Sequence, residues 1–208
     1  LRRGLMKKSA IILAGGFSKR FGRDKGLVEL GGKPLIFHVL DRVSRVVDES
    51  LVVVSSENQR DAFTPSVGPK TKVVIDKYDV RSPIVGASTG FEAASGEYSL
   101  LLPCDTPFVS REVASLLFDL CVNRGAVVPR WTNRYIEPLH AVYHTKSALN
   151  ASETAYEENR LDLRSMISNL RGVRYISTLV LQQIDPKLMT FFNVNTPEDL
   201  KKAESMLK

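Results

Sequence analysis

The chain has 208 residues, 43% of them hydrophobic and 25% charged, with a formal net charge of +6. That length is enough for one domain with a sizeable core, and the composition excludes a disordered, collagenous or disulfide-framework protein. The basic balance suits nucleic acid or phosphorylated small molecules, but the cations form no long block and no aromatic-interleaved pattern, so no nucleic-acid partner is expected.

Taken in chain order, residues 1–5 read as an N-terminal extension ahead of Met6, and residues 6–208 as a single domain. The basic start is followed only by "AIILA" before the glycines, too short for a signal-peptide core, and nothing reaches transmembrane length. No membrane partner is expected, and the location reads as cytoplasmic. Two cysteines, Cys104 and Cys121, without zinc-ligand spacing, fit a reducing compartment.

"SAIILA" (9–14) is apolar on both faces, which predicts a buried parallel strand. It stops at Gly15-Gly16 and opens into a loop carrying Lys19, Arg20, Arg23 and Lys25 against Asp24 alone. Gly16 to Gly22 is one residue too long for a Walker A loop, and the dinucleotide-binding glycine fingerprint is absent. Glycines still let backbone N–H groups approach a ligand, and the cations can neutralise phosphates. The alternative is a solvated turn.

Pro34 is expected in the first turn of a helix with Leu35, Ile36, Val39, Leu40, Val43, Val46 and Val47 as its apolar stripe. Strands are expected at 50–56, 71–76 and 98–105, and helices at 84–95 and at 110–123 with Ser110 as N-cap. "GAVVPR", "EPLHAVYH", a polar helix-rich stretch to about 170, the strand "GVRYIS" and a helix from Thr196 with Pro197 at N1 complete the chain. This alternation predicts a three-layer α/β/α fold with a doubly wound, mostly parallel, Rossmann-like sheet. Ligands of such sheets bind beyond the C-terminal strand ends, here at Gly15-Gly16, Ser55-Ser56, Asp76 and Asp105.

Asp105 ends the apolar run "LLPCDTPF" and is either a turn cap or a ligand for a hard cation; Asp76 ends another run. Two carboxylates facing a cationic loop make a phosphoryl- or nucleotidyl-transfer site with magnesium. Asn193 and Asn195, just before the last helix, are either caps or a metal-directed amide. His140 and His144 read as structural or surface histidines, and Cys104 as a small packed residue.

The chain resembles the molybdenum cofactor guanylyltransferases (molybdopterin-guanine dinucleotide biosynthesis protein A) of the nucleotidyltransferase superfamily over nearly its full length. The resemblance rests on "ILAGGFSKRFGRDKGLVELGGKPLI", "VID" (74–76), "LLPCDTPFV" (101–109), "EPLHAVY" (137–143) and "FFNVNTPEDL" (191–200). It implies that Leu13, Ala14, Gly15 and Gly16 bind the nucleotide, with Arg20 and Lys25 on its phosphates. Asp76 would lie in the nucleotide pocket, Asp105 would bind Mg²⁺, and Asn195 would supply a second metal contact. Ser55, Ser56 and Asn58 are the base-contact candidates. "SPIVGA" (82–87) departs from the relatives' G-P-L-A-G loop. The loop reads L-A-G-G where cytidylyl relatives typically read L-A-A-G, and Gly16, with no methyl to narrow the pocket, favours GTP.

The implied reaction transfers GMP from GTP to molybdopterin, or to the molybdenum-bearing cofactor, with release of pyrophosphate. Hand-over to a cofactor-insertion protein or an apo-molybdoenzyme would follow. The alternatives are a nucleotidyltransferase that uses CTP or a sugar or cobinamide phosphate, and a non-catalytic nucleotide sensor. Arg130, Arg134 and the 130–170 region are candidates for gripping the pterin by charge and location.

Overall fold

The computed structural model describes residues 6–207, apart from residues 19, 79 and 81 and the side chain of Phe17. The expected extension, residues 1–5, and Lys19 of the cationic loop lie outside the described residues. β1 (Lys8–Leu13) runs through the middle of the sheet with Ala10, Ile11 and Ile12 fully buried. Side-chain alternation explains this: Ala10 and Ile12 join one core layer, Ile11 and Leu13 the other.

The described residues of the cationic loop pair as a short ribbon. β2 (Phe17–Ser18) pairs antiparallel with β3 (Arg23–Asp24), and a 3₁₀ turn follows at Lys25–Leu27. A second hairpin, β4 (Glu29–Leu30) with β5 (Lys33–Pro34), turns on Gly31 and Gly32, both at positive φ, where glycine carries no steric cost. Pro34 therefore ends a strand, opposite Glu29, and precedes α1 (Leu35–Val43) instead of lying in its first turn. The helix also stops before Val46 and Val47. Ser44 donates to the Asp41 carbonyl (2.9 Å), a local bond that competes with continued helix, while both valines still pack on the core.

β6 (Glu49–Val54) leads into α2 (Glu57–Phe63), a helix not expected above, and then β7 (Thr71–Ile75). α3 (Pro83–Ala93), β8 (Tyr98–Pro103) and α4 (Arg111–Cys121) follow; Ser110 caps α4 as expected, accepting from the Val113 N–H at 3.2 Å. The C-terminal half adds β9 (Ala126–Arg130), β10 (Ala141–His144), α5 (Thr145–Glu157), α6 (Leu163–Ser168), β11 (Val173–Ser177), α7 (Thr178–Leu181) and α8 (Pro197–Leu207).

The seven-stranded sheet has the order β11-β9-β10-β8-β1-β6-β7, with β10 antiparallel to both neighbours and the other pairs parallel. One core layer holds α1, α4 and Phe63; the other holds α3, α5 and α6. This is the expected three-layer α/β/α sandwich. A third cluster (Val28, Leu30, Leu35, Phe108, Val194 and Ala203) joins α8 to the β4–β5 hairpin. It brings the segment before α8 alongside the cationic loop. Among the described residues no helix is long and apolar enough to cross a membrane.

α3 is buried from Ile84 to Phe91, between the sheet and α5, and its glycines set how closely it approaches β1. A Cβ on Gly90 would lie 2.3 Å from Ile11 Cγ2 and 3.3 Å from Val53 Cγ2, two β-branched side chains with little freedom to move. Gly90→Ala is expected to destabilise the protein by about 1–2 kcal/mol net of its helix-propensity gain. Urea unfolding measures this, and an unchanged midpoint would mean that α3 shifts freely.

Candidate active site

The chain leaves β1 for β6 and β7 on one side, then returns to β8 on the other. The crevice beyond the C-terminal end of β1 is therefore the topological switch point, where sheets of this kind bind ligands. A cleft of about 420 Å³ lies there, lined by Leu13, Gly15, Gly16, Lys25, Asp76 and Asp105, together with Ser55, Ser82, Gly86, Cys104 and Leu139. Ala14 is the exception among the nucleotide-loop candidates: it is fully buried in the α1/α4 layer, its N–H donating to Val53 O at 2.8 Å.

Asp105 sits two residues past β8 and is 7% exposed. Its Oδ2 is paired with the Lys25 ammonium, while Oδ1 is buried without a hydrogen-bond partner. The carboxylate thus caps no turn. Lys25 Nζ also donates to Asn195 Oδ1 at 2.6 Å. Asn195 is free to accept because α8 is capped by others: Thr196 Oγ1 takes the Asp199 N–H (3.2 Å), and Asp199 reaches back to the N–H groups of Asn195 and Thr196. Asn193 turns locally onto Phe191 O. Arg20 is exposed at the rim and donates to the Asn195 carbonyl at 3.5 Å. The Val194 N–H donates to the Asp105 carbonyl (2.9 Å), so both halves of the site share one backbone link.

The loop is held from α2. Gln59 accepts from the Ser55 N–H (2.8 Å) and donates to Asp24 Oδ1 (2.6 Å), while Phe63 fills the space beside Gly26. Ser55 Oγ donates to Gly15 O at 2.8 Å, and a Cβ on Gly15 would come within 2.2 Å of Ser55 Oγ. An alanine here would force the Ser55 hydroxyl to turn away and give up that bond. Of the three base-contact candidates, Ser55 lines the cleft, Ser56 caps α2 and Asn58 is exposed.

Asp76 lies across the cleft, with Oδ1 buried and unpartnered. Burial pushes its carboxyl up to about 6, and the Thr89 hydroxyl offsets part of that rise. Gly86 of α3 faces it: a Cβ there would be 3.5 Å from Asp76 Oδ1. The divergent segment 82–87 thus borders the cleft through Ser82, Pro83 and Gly86.

The histidines do not converge on a metal. His140 is buried with neither ring nitrogen partnered, and burial lowers its pKa to about 3, so it is neutral. His144 Nδ1 bonds Ser147 at the start of α5. Burial pushes the Cys104 thiol up to about 12, which leaves it an unreactive packing residue. Sequence reasoning did not name Gln59, Gly86 or Leu139. The signal for Gln59 was the S-x-x-Q cap at Ser56–Gln59, while Gly86 and Leu139 lie inside the segments 82–87 and 137–143 singled out above.

A family model described as a MobA-like NTP transferase domain matches residues 10–173. A probable molybdenum cofactor guanylyltransferase of Methanosarcina mazei is 33% identical over 199 residues, covering 93% of this chain and 88% of the relative. A molybdenum cofactor guanylyltransferase of Desulfosudis oleivorans is 34% identical over 203 residues, covering 96% of each. Among solved structures, molybdopterin-guanine dinucleotide biosynthesis protein A from Archaeoglobus fulgidus is similar with a TM-score of 0.81. It is 28% identical, with 96% of this chain and 98% of that one covered.

Proposed function

We propose that this chain, which belongs to the MobA-like NTP transferase family, transfers GMP from GTP to molybdopterin, forming the guanine dinucleotide cofactor and releasing pyrophosphate. The observation that carries the reading is the meeting of Lys25, Asp105 and Asn195 at the switch-point crevice. In this reading residues 6–208 act as one nucleotidyltransferase domain.

The donor set fits a divalent cation of the magnesium type. A carboxylate with one buried, unpartnered oxygen and an amide oxygen are hard ligands, and substrate phosphates would complete them. Asp105 and Asn195 would hold the ion, which when bound supplies positive charge to the reacting phosphates. The terminal phosphate of molybdopterin, or of its molybdenum-bearing form, attacks the GTP α-phosphorus. A new P–O bond forms there as the α–β bridging bond breaks and pyrophosphate leaves. The substrate phosphate is itself the nucleophile, so the protein needs none.

The protein's share is positioning and charge. Gly15 and Gly16 let the backbone come close to the nucleotide, with Leu13 and Asp76 along the cleft and Ala14 contributing main chain only. Lys25 and Arg20 offset phosphate charge as it shifts to the leaving group. A Cβ on Gly16 would meet nothing within 4 Å, so the protein's packing does not require glycine there. What it leaves is cleft space beside the loop, which supports a purine. The two free, buried cysteines support a reducing cytoplasmic setting. Direct hand-over to a cofactor-insertion protein or apo-molybdoenzyme completes the reading.

Pyrophosphate release should occur with Mg²⁺, GTP and molybdopterin together, and be at least about tenfold slower with CTP or ATP. Release with CTP instead would reverse the base assignment. Release only with a sugar or cobinamide phosphate would replace the acceptor.

A further inference from the structure

Lys25 holds the same two oxygens that the proposed function gives to a divalent cation. Its ammonium donates to Asp105 Oδ2 and to Asn195 Oδ1 (2.6 Å). The Lys25 and Asp105 side chains are only 20% and 10% exposed, so solvent screens their contact less than that of a surface pair. A second cation at the same oxygens would meet the ammonium at close range and be repelled.

The backbone beneath Lys25 is fixed. Its N–H donates to Gly16 O at 3.3 Å, and the neighbouring Asp24 is clamped by Gln59. The four-carbon stem can still swing the ammonium across the cleft. A free metal ion would gain the unpartnered Asp105 Oδ1, but it would strand the displaced ammonium without an anion. A metal ion carrying a triphosphate brings the anion to which that ammonium can move.

We propose that Lys25 determines the form in which the substrate is accepted. It is the resident cation of the Asp105–Asn195 pair, keeps free divalent ions off it, and yields it to a metal–nucleotide complex. This rests on the nucleotidyltransferase reading and adds to it the order of entry: metal and nucleotide arrive together, and Lys25 passes from the carboxylate to the phosphates.

The test is Mn²⁺ binding to the full chain, followed by the water-proton relaxation enhancement that rises when Mn²⁺ is held by a macromolecule. Without nucleotide, wild type and Lys25→Arg, which keeps the charge, should bind Mn²⁺ weakly. Lys25→Met, which keeps the stem, should bind it at least about tenfold more tightly. Adding GTP should raise wild-type uptake, and Asp105→Asn should abolish that rise. If Lys25→Met retains its melting temperature yet binds Mn²⁺ no better than wild type, the inference is overturned while the metal site stands. If Asp105→Asn takes up Mn²⁺ with GTP as wild type does, the metal assignment fails and the inference fails with it.

Discussion

Asp105→Asn is expected to lower pyrophosphate release by about 10³-fold or more while leaving the melting temperature within about 3 °C of wild type. The substitution keeps shape and removes charge. Asp105 is the buried carboxylate beside Lys25 at the switch-point crevice, and its Oδ1 has no partner among the described residues. A neutral amide there would hold a divalent ion poorly, and the charge separating between α-phosphate and leaving group would lose its local counter-ion. The fold loses little, because the amide oxygen can still accept from the Lys25 ammonium, which also keeps Asn195 Oδ1 as an acceptor. Steady-state release at saturating GTP and Mg²⁺, beside a thermal melt, separates the two effects. A loss smaller than tenfold would move Asp105 out of the reacting centre. A large fall in melting temperature would make it a structural residue instead.

The fold was legible where one physical signal dominated. β1 and β6 are apolar on both faces because helices cover both, and a buried parallel strand reads that way in any context. Pro34 was misread because proline suits both a helix's first turn and a strand edge, and only the pairing with Glu29 decides between them. α2 escaped notice because Phe63 is its one buried side chain, so it has no apolar stripe to read.

The site was half legible for a similar reason. Asp76 and Asp105 stand out because apolar runs seldom end on carboxylates without cause. The Lys25–Asp105 pairing spans 80 positions and the Lys25–Asn195 contact 170, so no local pattern announces either. They are products of topology: the crossover from β7 to β8 sets Asp105 beside the β1 loop, and the cluster of Val28, Leu35, Val194 and Ala203 carries Asn195 to the same place. The crowding at Gly15 is likewise set by Ser55, a residue 40 positions away.

Asp76→Asn is expected to move stability and nucleotide binding in opposite directions. In the folded protein burial raises this carboxyl from its ordinary 3.8 to about 6. Between those values the folded state binds more protons than the unfolded one, so stability falls as pH rises through that window. Above pH 6 the charged, unpartnered carboxylate is a constant cost. Asparagine does not titrate, so the variant should be more stable than wild type by about 1–2 kcal/mol at pH 7.5, allowing for partial solvent screening. The advantage should shrink steadily as pH falls from 6 to 4, as the folded carboxyl takes up its proton. GTP affinity should run the other way. A carboxylate with a free oxygen in the switch-point cleft suits the hydroxyl and amino donors of a nucleoside, and losing such charged hydrogen bonds would weaken binding about 10–100-fold. Wild-type affinity should also fall as pH drops below 6, with the variant not following. Denaturant melts and GTP titrations across pH 4–8 read both effects on the same samples. Equal GTP affinity for the two proteins at pH 7.5 would remove Asp76 from the nucleotide pocket, even if the stability curves cross as expected. A stability gain coupled to a binding loss would mean that the protein retains an unfavourable charge because the nucleotide supplies its missing partners.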